Sequence, residues 1–214
     1  MTKTRGALSV LFLTFSLQAA PIAGLYNTGV DNAGVQLPGG NGVTELHWFQ
    51  ASLANAFTYK HPSYIPETLT GVGSDQSRWI SVAADGLPGS SLSFYRLTLN
   101  LTSPTATITG RWAADNCGIA SLNFGPPAFS AITDCVDTAA FTSWTPFTIT
   151  SGFVTGINTL TFRVENRSNV TGLRVEFLSS DDGGGSAVPE PSTYGMLGSA
   201  LALAGLLQRR RCRA

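Results

Sequence analysis

Leu92-Ser93-Phe94-Tyr95-Arg96-Leu97-Thr98-Leu99-Asn100-Leu101 is the stretch that decides the fold. Its side chains alternate with a period of two, placing Tyr95, Leu97, Leu99 and Leu101 on one face. A helix would scatter these four around its circumference, so the segment predicts a half-buried β-strand. The same period returns in Thr105–Trp112, Ile119–Phe124, Trp144–Thr150, Thr159–Val164 and Leu173–Leu178. It returns more weakly in Val43–Phe49 and Arg78–Val82. Turn-forming clusters separate the runs: Pro38-Gly39-Gly40-Asn41-Gly42, Asp85-Gly86-Leu87-Pro88-Gly89, Gly125-Pro126-Pro127 and Thr155-Gly156-Ile157-Asn158. Eight short strands with no helical period between them predict an all-β domain, a single β-sandwich of the jelly-roll kind.

Outward from this body the composition changes. The chain has 43% hydrophobic and only 12% charged residues, with no net charge. Between Gly24 and Leu178, seven basic against ten acidic residues give a net charge of −3. Such a body displaces few phosphate counterions, which excludes nucleic acid as its expected partner.

Both ends read as targeting segments. Lys3 and Arg5, the apolar run Ala7–Leu17 and the small residues Ala19, Ala20 and Ala23 form a signal-peptide pattern over residues 1–23. The β-sandwich is then expected over 24–178. The run Ser179–Ser186 (SSDDGGGS) has the composition of a flexible linker, set at 179–187. Residues 188–214 hold Pro189-Glu190-Pro191, the apolar stretch Tyr194–Leu207, and the basic cluster Arg209, Arg210, Arg211 and Arg213. Fourteen apolar residues are fewer than the roughly 20 of a permanent membrane span. The arginines hold the tail on the cytoplasmic side.

This order of Pro-Glu-Pro, short apolar helix and arginine tail resembles the PEP-CTERM sorting signal of Gram-negative bacteria. The resemblance implies an exosortase, a membrane-embedded cysteine transpeptidase, as partner, with Pro189, Glu190 and Pro191 as the recognised residues. It also implies transient anchoring in the inner membrane, then a place at the cell surface or outside the cell. Within the body, Gly110–Asn116, Leu122-Asn123-Phe124, Phe141–Trp144 and Phe153–Asn166 look like a galactose-binding-like jelly roll. One departure is Phe124, which stands between Asn123 and Gly125 where that pattern has Asn-Gly. A fold of this kind hosts many functions, so the resemblance speaks to the architecture.

Few residue groups carry chemistry. Cys117 and Cys135, eighteen positions apart in an exported body, are expected to pair as a disulfide. Cys212 lies in the tail and has no expected role. His47 and His61 stand without neighbours at metal-ligand spacing, and neither a metal nor a cofactor is expected. Nothing has the spacing of a serine-hydrolase nucleophile, and Gly71–Gln76 reads as a turn. Thr105, Thr107 and Thr109 form a short ladder that β-propensity explains. Asn100, Asn166 and Asn169 begin glycosylation sequons of little weight in a bacterium.

Trp112 with Asp115, Asn116 and Asn123 has two readings. An aromatic ring beside carboxylate and amide groups is what sugar recognition uses, which makes these four a candidate glycan site. Equally, Trp112 can be core and Asp115-Asn116 a turn. No catalytic residue is expected, although Asp134 and Asp137 are close in sequence. The expected function is an exported, exosortase-sorted surface or matrix protein whose β-sandwich takes exopolysaccharide or another glycan. The alternatives are a secreted carbohydrate-active or other hydrolytic enzyme, and a purely structural matrix component.

Overall fold

A computed structural model describes residues 22–38, 40–67, 76–87, 92–125, 129–133, 135, 139–167 and 170–183. The signal-peptide segment before Ile22, the sorting segment with Pro189, Glu190, Pro191, Arg209, Arg210, Arg211 and Arg213, and Asp134, Asp137 and Asn169 lie outside the described residues.

Among the described residues the domain has ten strands and one short helical turn. They are β1 (Thr44–Gln50), β2 (Asn55–Thr58), β3 (Ile80–Ser81), β4 (Leu92–Leu101), β5 (Thr107–Asp115), β6 (Cys117–Leu122), β7 (Ser130–Ile132), α1 (Ala139–Thr142), β8 (Thr145–Ile149), β9 (Gly156–Glu165) and β10 (Gly172–Asp181). All strand pairs are antiparallel. The pairs β3·β10, β4·β9, β5·β8 and β6·β7 are nested, each enclosing the next along the chain. This nesting defines an eight-stranded jelly roll with layers β3-β10-β5-β8 and β4-β9-β6-β7. The hairpin β1–β2 bridges β4 to β3, so the hydrogen-bonded order runs unbroken as β7-β6-β9-β4-β1-β2-β3-β10-β5-β8. The expected jelly-roll sandwich is the observed fold.

The two layers close on each other through the inward faces of their strands. Tyr95, Leu97, Leu99 and Leu101 of β4 are buried, as their alternation requires, with Leu160, Phe162 and Val164 of β9. Opposite them lie Ile108, Trp112 and Ala114 of β5 and Leu173 and Val175 of β10. Phe162 is central, its ring edge-to-face with Trp48 at 5.6 Å and with Trp112 at 5.2 Å. Such pairs add about 1 kcal/mol each beyond the apolar area they bury.

Cys117 and Cys135 form the expected disulfide, with their Cα atoms 4.7 Å apart. It joins the start of β6 to the segment after β7 across the β6–β7 edge of the sandwich.

The strands differ from the sequence expectation at their ends and in two omissions. β10 runs on through Ser179, Ser180 and Asp181, which pair with Thr109, Ile108 and Thr107 after an irregularity in register at Phe177. The folded strand therefore passes Leu178, and these residues are strand rather than linker. At the front, Ile22 is packed in the core and Ala23 bridges Asn100, so folded structure begins ahead of Gly24. β2 (Asn-Ala-Phe-Thr) and β7 (Ser-Ala-Ile) were not expected, being too short to show alternation.

The outer face of β10 and β5 is covered. Tyr59, Tyr64 and Trp79 make a second buried cluster with Ala113, and Phe141 and Trp144 pack against it. Under this cover lies a buried polar layer. Arg78 pairs with Glu67 at 3.2 Å and donates to the carbonyls of Leu37 and Pro38. Arg174 donates to Ser77 Oγ and to the Pro66 carbonyl, and Arg111 pairs with Glu176 at 3.3 Å. The Arg111 and Arg174 guanidiniums stack over Trp144 at 4.4 and 4.9 Å. Buried charges are tolerated when paired and hydrogen-bonded in this way.

Candidate functional site

The four candidate glycan residues do not converge. Trp112 is fully buried between the layers; its indole N–H donates to Ser130 Oγ at 2.8 Å and its ring faces Phe162. It presents no face to solvent, which corrects the reading of Trp112 as a sugar platform. Strand parity gives the reason. Trp112 and Asp115 are three residues apart on β5, so they point to opposite faces of the sheet. Asp115 points into the covered outer layer, where its Oδ2 accepts the Tyr64 hydroxyl at 2.7 Å. Burial raises the Asp115 carboxyl above the ordinary carboxylate range, and the Tyr64 bond only partly offsets it. The same surroundings raise the Tyr64 phenol, burial first and then the Asp115 charge.

Asn116 is spent on the backbone: its Oδ1 accepts the Arg167 N–H at 2.8 Å. Asn123 sits at the other end of β6, seven residues away, which is about 23 Å at strand rise. There its side chain donates to Asn158 Oδ1 and to the Gly152 carbonyl and accepts from the Thr159 N–H. Asn158, fully buried, clamps the loop before β9 by donating to the carbonyls of Val154 and Gly156. The two asparagines thus build one rigid turn, and a single site around Trp112, Asp115, Asn116 and Asn123 is not formed.

That turn presents something the sequence reading passed over. Phe124, at φ 57°, is 63% exposed, and Arg96 of β4 lays its guanidinium over the ring at 5.1 Å. Arg96 opens an outward surface on the layer β6-β9-β4-β1. Two cross-strand rows can be read from the register. One runs Ile119–Arg163–Phe94, the other Ser121–Thr161–Arg96–Phe49. Arg96 and Arg163 are diagonal neighbours on paired strands, roughly 7–8 Å apart. All but Thr161 are half-buried, so the rows form a flat surface rather than a pocket. Gly118 lets β6 and β9 approach here: a Cβ at that position would collide with the Arg163 carbonyl oxygen. The signal for this surface was present in the sequence. An arginine in the middle of LSFYRLTLNL occupies the outward register of a strand whose other register carries Tyr95, Leu97, Leu99 and Leu101.

No other group has the form of a catalytic centre among the described residues. Each buried carboxylate has its own partners: Glu67 takes Arg78 and the Trp79 N–H, and Glu176 takes Arg111 and Ser77. Glu45 accepts the N–H groups of Gly29, Leu46 and His47; burial raises its pKa, and these bonds oppose the rise. His47 stacks flat on Tyr26 at 3.6 Å, and burial lowers its pKa. Cys117, Cys135 and Glu165 come within 4.8 Å of one another, but the two sulfurs are bonded to each other and offer no thiolate to a metal. A groove of about 260 Å³ runs along Leu25, Tyr26, Asn27 and Phe177. No described helix is long and apolar enough to cross a membrane.

In structure, the chain is similar to a family 35 carbohydrate binding module from Clostridium thermocellum. The identity is 19% and the TM-score 0.33, over 62% of this chain and 95% of that one, a likeness too distant to assign a function. Comparison with curated proteins gives no match. At the C-terminal end the comparison is specific: residues 187–211 match the PEP-CTERM protein-sorting motif. They include Pro189-Glu190-Pro191, the apolar stretch and the first three arginines of the basic tail. The chain is therefore an exported protein carrying a membrane-anchored exosortase sorting signal.

Proposed function

We propose that this protein is a non-catalytic component of the cell surface or its exopolysaccharide matrix. An exosortase-like transpeptidase recognises Pro189, Glu190 and Pro191 and frees the jelly roll from its temporary hold in the inner membrane. The jelly roll then holds polysaccharide. The single observation that carries this reading is the sorting motif at residues 187–211. The steps divide among the residues by their chemistry. Tyr194–Leu207 is apolar enough to enter the bilayer but short for a permanent span, and Arg209, Arg210, Arg211 and Arg213 resist translocation. Proline disfavours helix, and the motif stands just ahead of the apolar stretch, where an enzyme embedded in the membrane meets it. For the body, the support is an exposed aromatic beside hydrogen-bonding side chains on a rigid strand surface, the combination that grips a sugar's apolar face and its hydroxyls.

The test is a chain with one epitope tag in the body and another after Arg213, expressed in a host with a PEP-CTERM processing enzyme. Wild type should lose the rear tag and leave the inner membrane. Glu190→Ala should keep both tags and accumulate there. Wild type that retains both tags in that host refutes the sorting step.

A further inference from the structure

We propose that the outward surface of β4 and β9 around Arg96 and Arg163 binds the carboxylate groups of an acidic polysaccharide. The inference rests on the carbohydrate reading above and names the chemical class of its ligand.

Two observations point the same way. The first is the state of the cations. Arg78, Arg111 and Arg167 each have a carboxylate partner, at 3.2, 3.3 and 3.1 Å, and Arg174 is fixed by Ser77 and backbone carbonyls. Arg96 and Arg163 have no carboxylate partner among the described residues. Their Nε atoms are buried against the sheet without a hydrogen-bond partner, and so is Oγ1 of Thr161, which is 6% exposed. Buried polar atoms are nearly always satisfied, so these three, grouped in neighbouring rows, mark a surface whose hydrogen bonding the fold alone does not complete, while the Arg96 and Arg163 side chains themselves stay half-exposed. The second observation is the setting. Arg96 is held over Phe124, and Arg163 lies between Ile119 and Phe94. Apolar flanks strengthen a charge-assisted hydrogen bond by lowering the local dielectric.

Guanidinium chemistry selects the ligand. Arginine stays protonated at any physiological pH and presents a planar fork that fits a carboxylate with two parallel hydrogen bonds. Ser121, beside Thr161 in the same row and half-exposed, adds a hydroxyl for a sugar's own hydroxyl groups. Phe124 gives an exposed ring for the apolar face of a pyranose. A flat surface of this kind takes a stretch of polymer along its length, whereas a single free sugar would need an enclosed pocket. Glu165, one row further along β9, is occupied by Arg167.

The experiment measures binding of the full-length chain in mild detergent to polygalacturonate and to neutral dextran by affinity electrophoresis. Wild type should be retarded by polygalacturonate well above dextran. Arg96→Gln and Arg163→Gln should each weaken that retardation roughly tenfold or more, as expected for losing a hydrogen bond to a charged group. Arg96→Lys should rescue part of the loss, since it keeps the charge without the fork. Arg167→Gln, already paired and exposed, is the control and should bind as wild type. Thermal unfolding of each variant checks that the fold is kept. Equal binding of both polymers, unchanged in the arginine variants, overturns the acidic-ligand inference and leaves the carbohydrate reading standing. Binding of neither polymer overturns both. An equal loss in Arg167→Gln means diffuse charge attraction and overturns the assignment to this surface.

Discussion

Trp112→Ala separates core from binding site most sharply. Trp112 is fully buried, meets Phe162 edge-to-face at 5.2 Å and satisfies its indole with Ser130 at 2.8 Å. Replacing a buried tryptophan by alanine costs about 3–5 kcal/mol, the lost transfer energy plus the cavity left behind. The Ser130 hydroxyl is only half-buried, so water can replace its lost partner at little further cost. Against a total stability of about 5–15 kcal/mol, the variant should fold but melt far lower. At about 2–4 °C per kcal/mol for a domain of this size, a 4 kcal/mol loss is a fall of roughly 8–16 °C. Trp112→Phe keeps most of the apolar volume and should fall by less than half of that. The assay is thermal unfolding followed by near-ultraviolet circular dichroism, with polygalacturonate retardation measured below the lower transition. Folded Trp112→Ala should bind as wild type. A variant that melts with wild type yet loses binding would refute the argument, because only an exposed ring behaves that way.

Two further outcomes follow from the same structure. Breaking the Cys117–Cys135 bridge by Cys135→Ser should destabilise the domain by about 3 kcal/mol, the loop-closure entropy for eighteen positions, and lower its melting point by roughly 6–12 °C; reduction of wild type should give the same shift, and a change under about 2 °C would contradict it. The raised Asp115 carboxyl means that the folded state holds more protons than the unfolded one between the ordinary carboxylate range and the raised value. Its contribution to stability therefore falls as pH rises through that window, so the melting-point advantage of wild type over Asp115→Asn should shrink from pH 4 to pH 7; an advantage that grows with pH would show the sign to be wrong. His47, held below its ordinary value by burial, works in the opposite sense and is common to both proteins, so it cancels in this difference.

The fold was legible because long strands leave a strong period. LSFYRLTLNL spans ten residues with every odd position from Ser93 to Leu101 buried, and its match with β4 is residue for residue. β2 and β7 left no such trace, because four and three residues cannot display alternation, and they form only where a neighbouring strand supplies partners. The end of β10 misled for a related reason. Ser179, Ser180 and Asp181 have linker composition, but pairing with Thr109, Ile108 and Thr107 overrides weak local preference. The candidate site failed at a different level. Sequence proximity put Trp112 beside Asp115, while strand parity put them on opposite faces; Asn123 then fell at the far end of β6. The disulfide was legible because pairing of two cysteines in an exported body depends on compartment and spacing more than on fine geometry.

The two outer faces of the sandwich show why function belongs to one of them. Over β10 and β5 the chain invests Tyr59, Tyr64, Trp79 and Trp144 as a cover, and beneath it supplies Glu67 to Arg78 and Glu176 to Arg111. That face is covered: its charges are paired or hydrogen-bonded within the chain and its apolar surface is hidden. Over β9 and β4 the same chain places Arg96 and Arg163 among Phe94, Ile119 and Phe124 and gives neither arginine a carboxylate partner among the described residues, Glu165 in the next row of β9 being paired with Arg167. Such an arrangement does little for the stability of the fold alone, since an arginine laid on a half-buried sheet without an acid loses solvation, and only Arg96 recovers part of that through its contact with the Phe124 ring. If stability alone had set these positions, Thr or Val would hold the strand as well. Arg96→Thr with Arg163→Thr should therefore leave the melting point unchanged or higher while abolishing retention by polygalacturonate. A double variant that melts several degrees lower would show that the two arginines hold the sheet together, and the surface would lose its claim to a ligand.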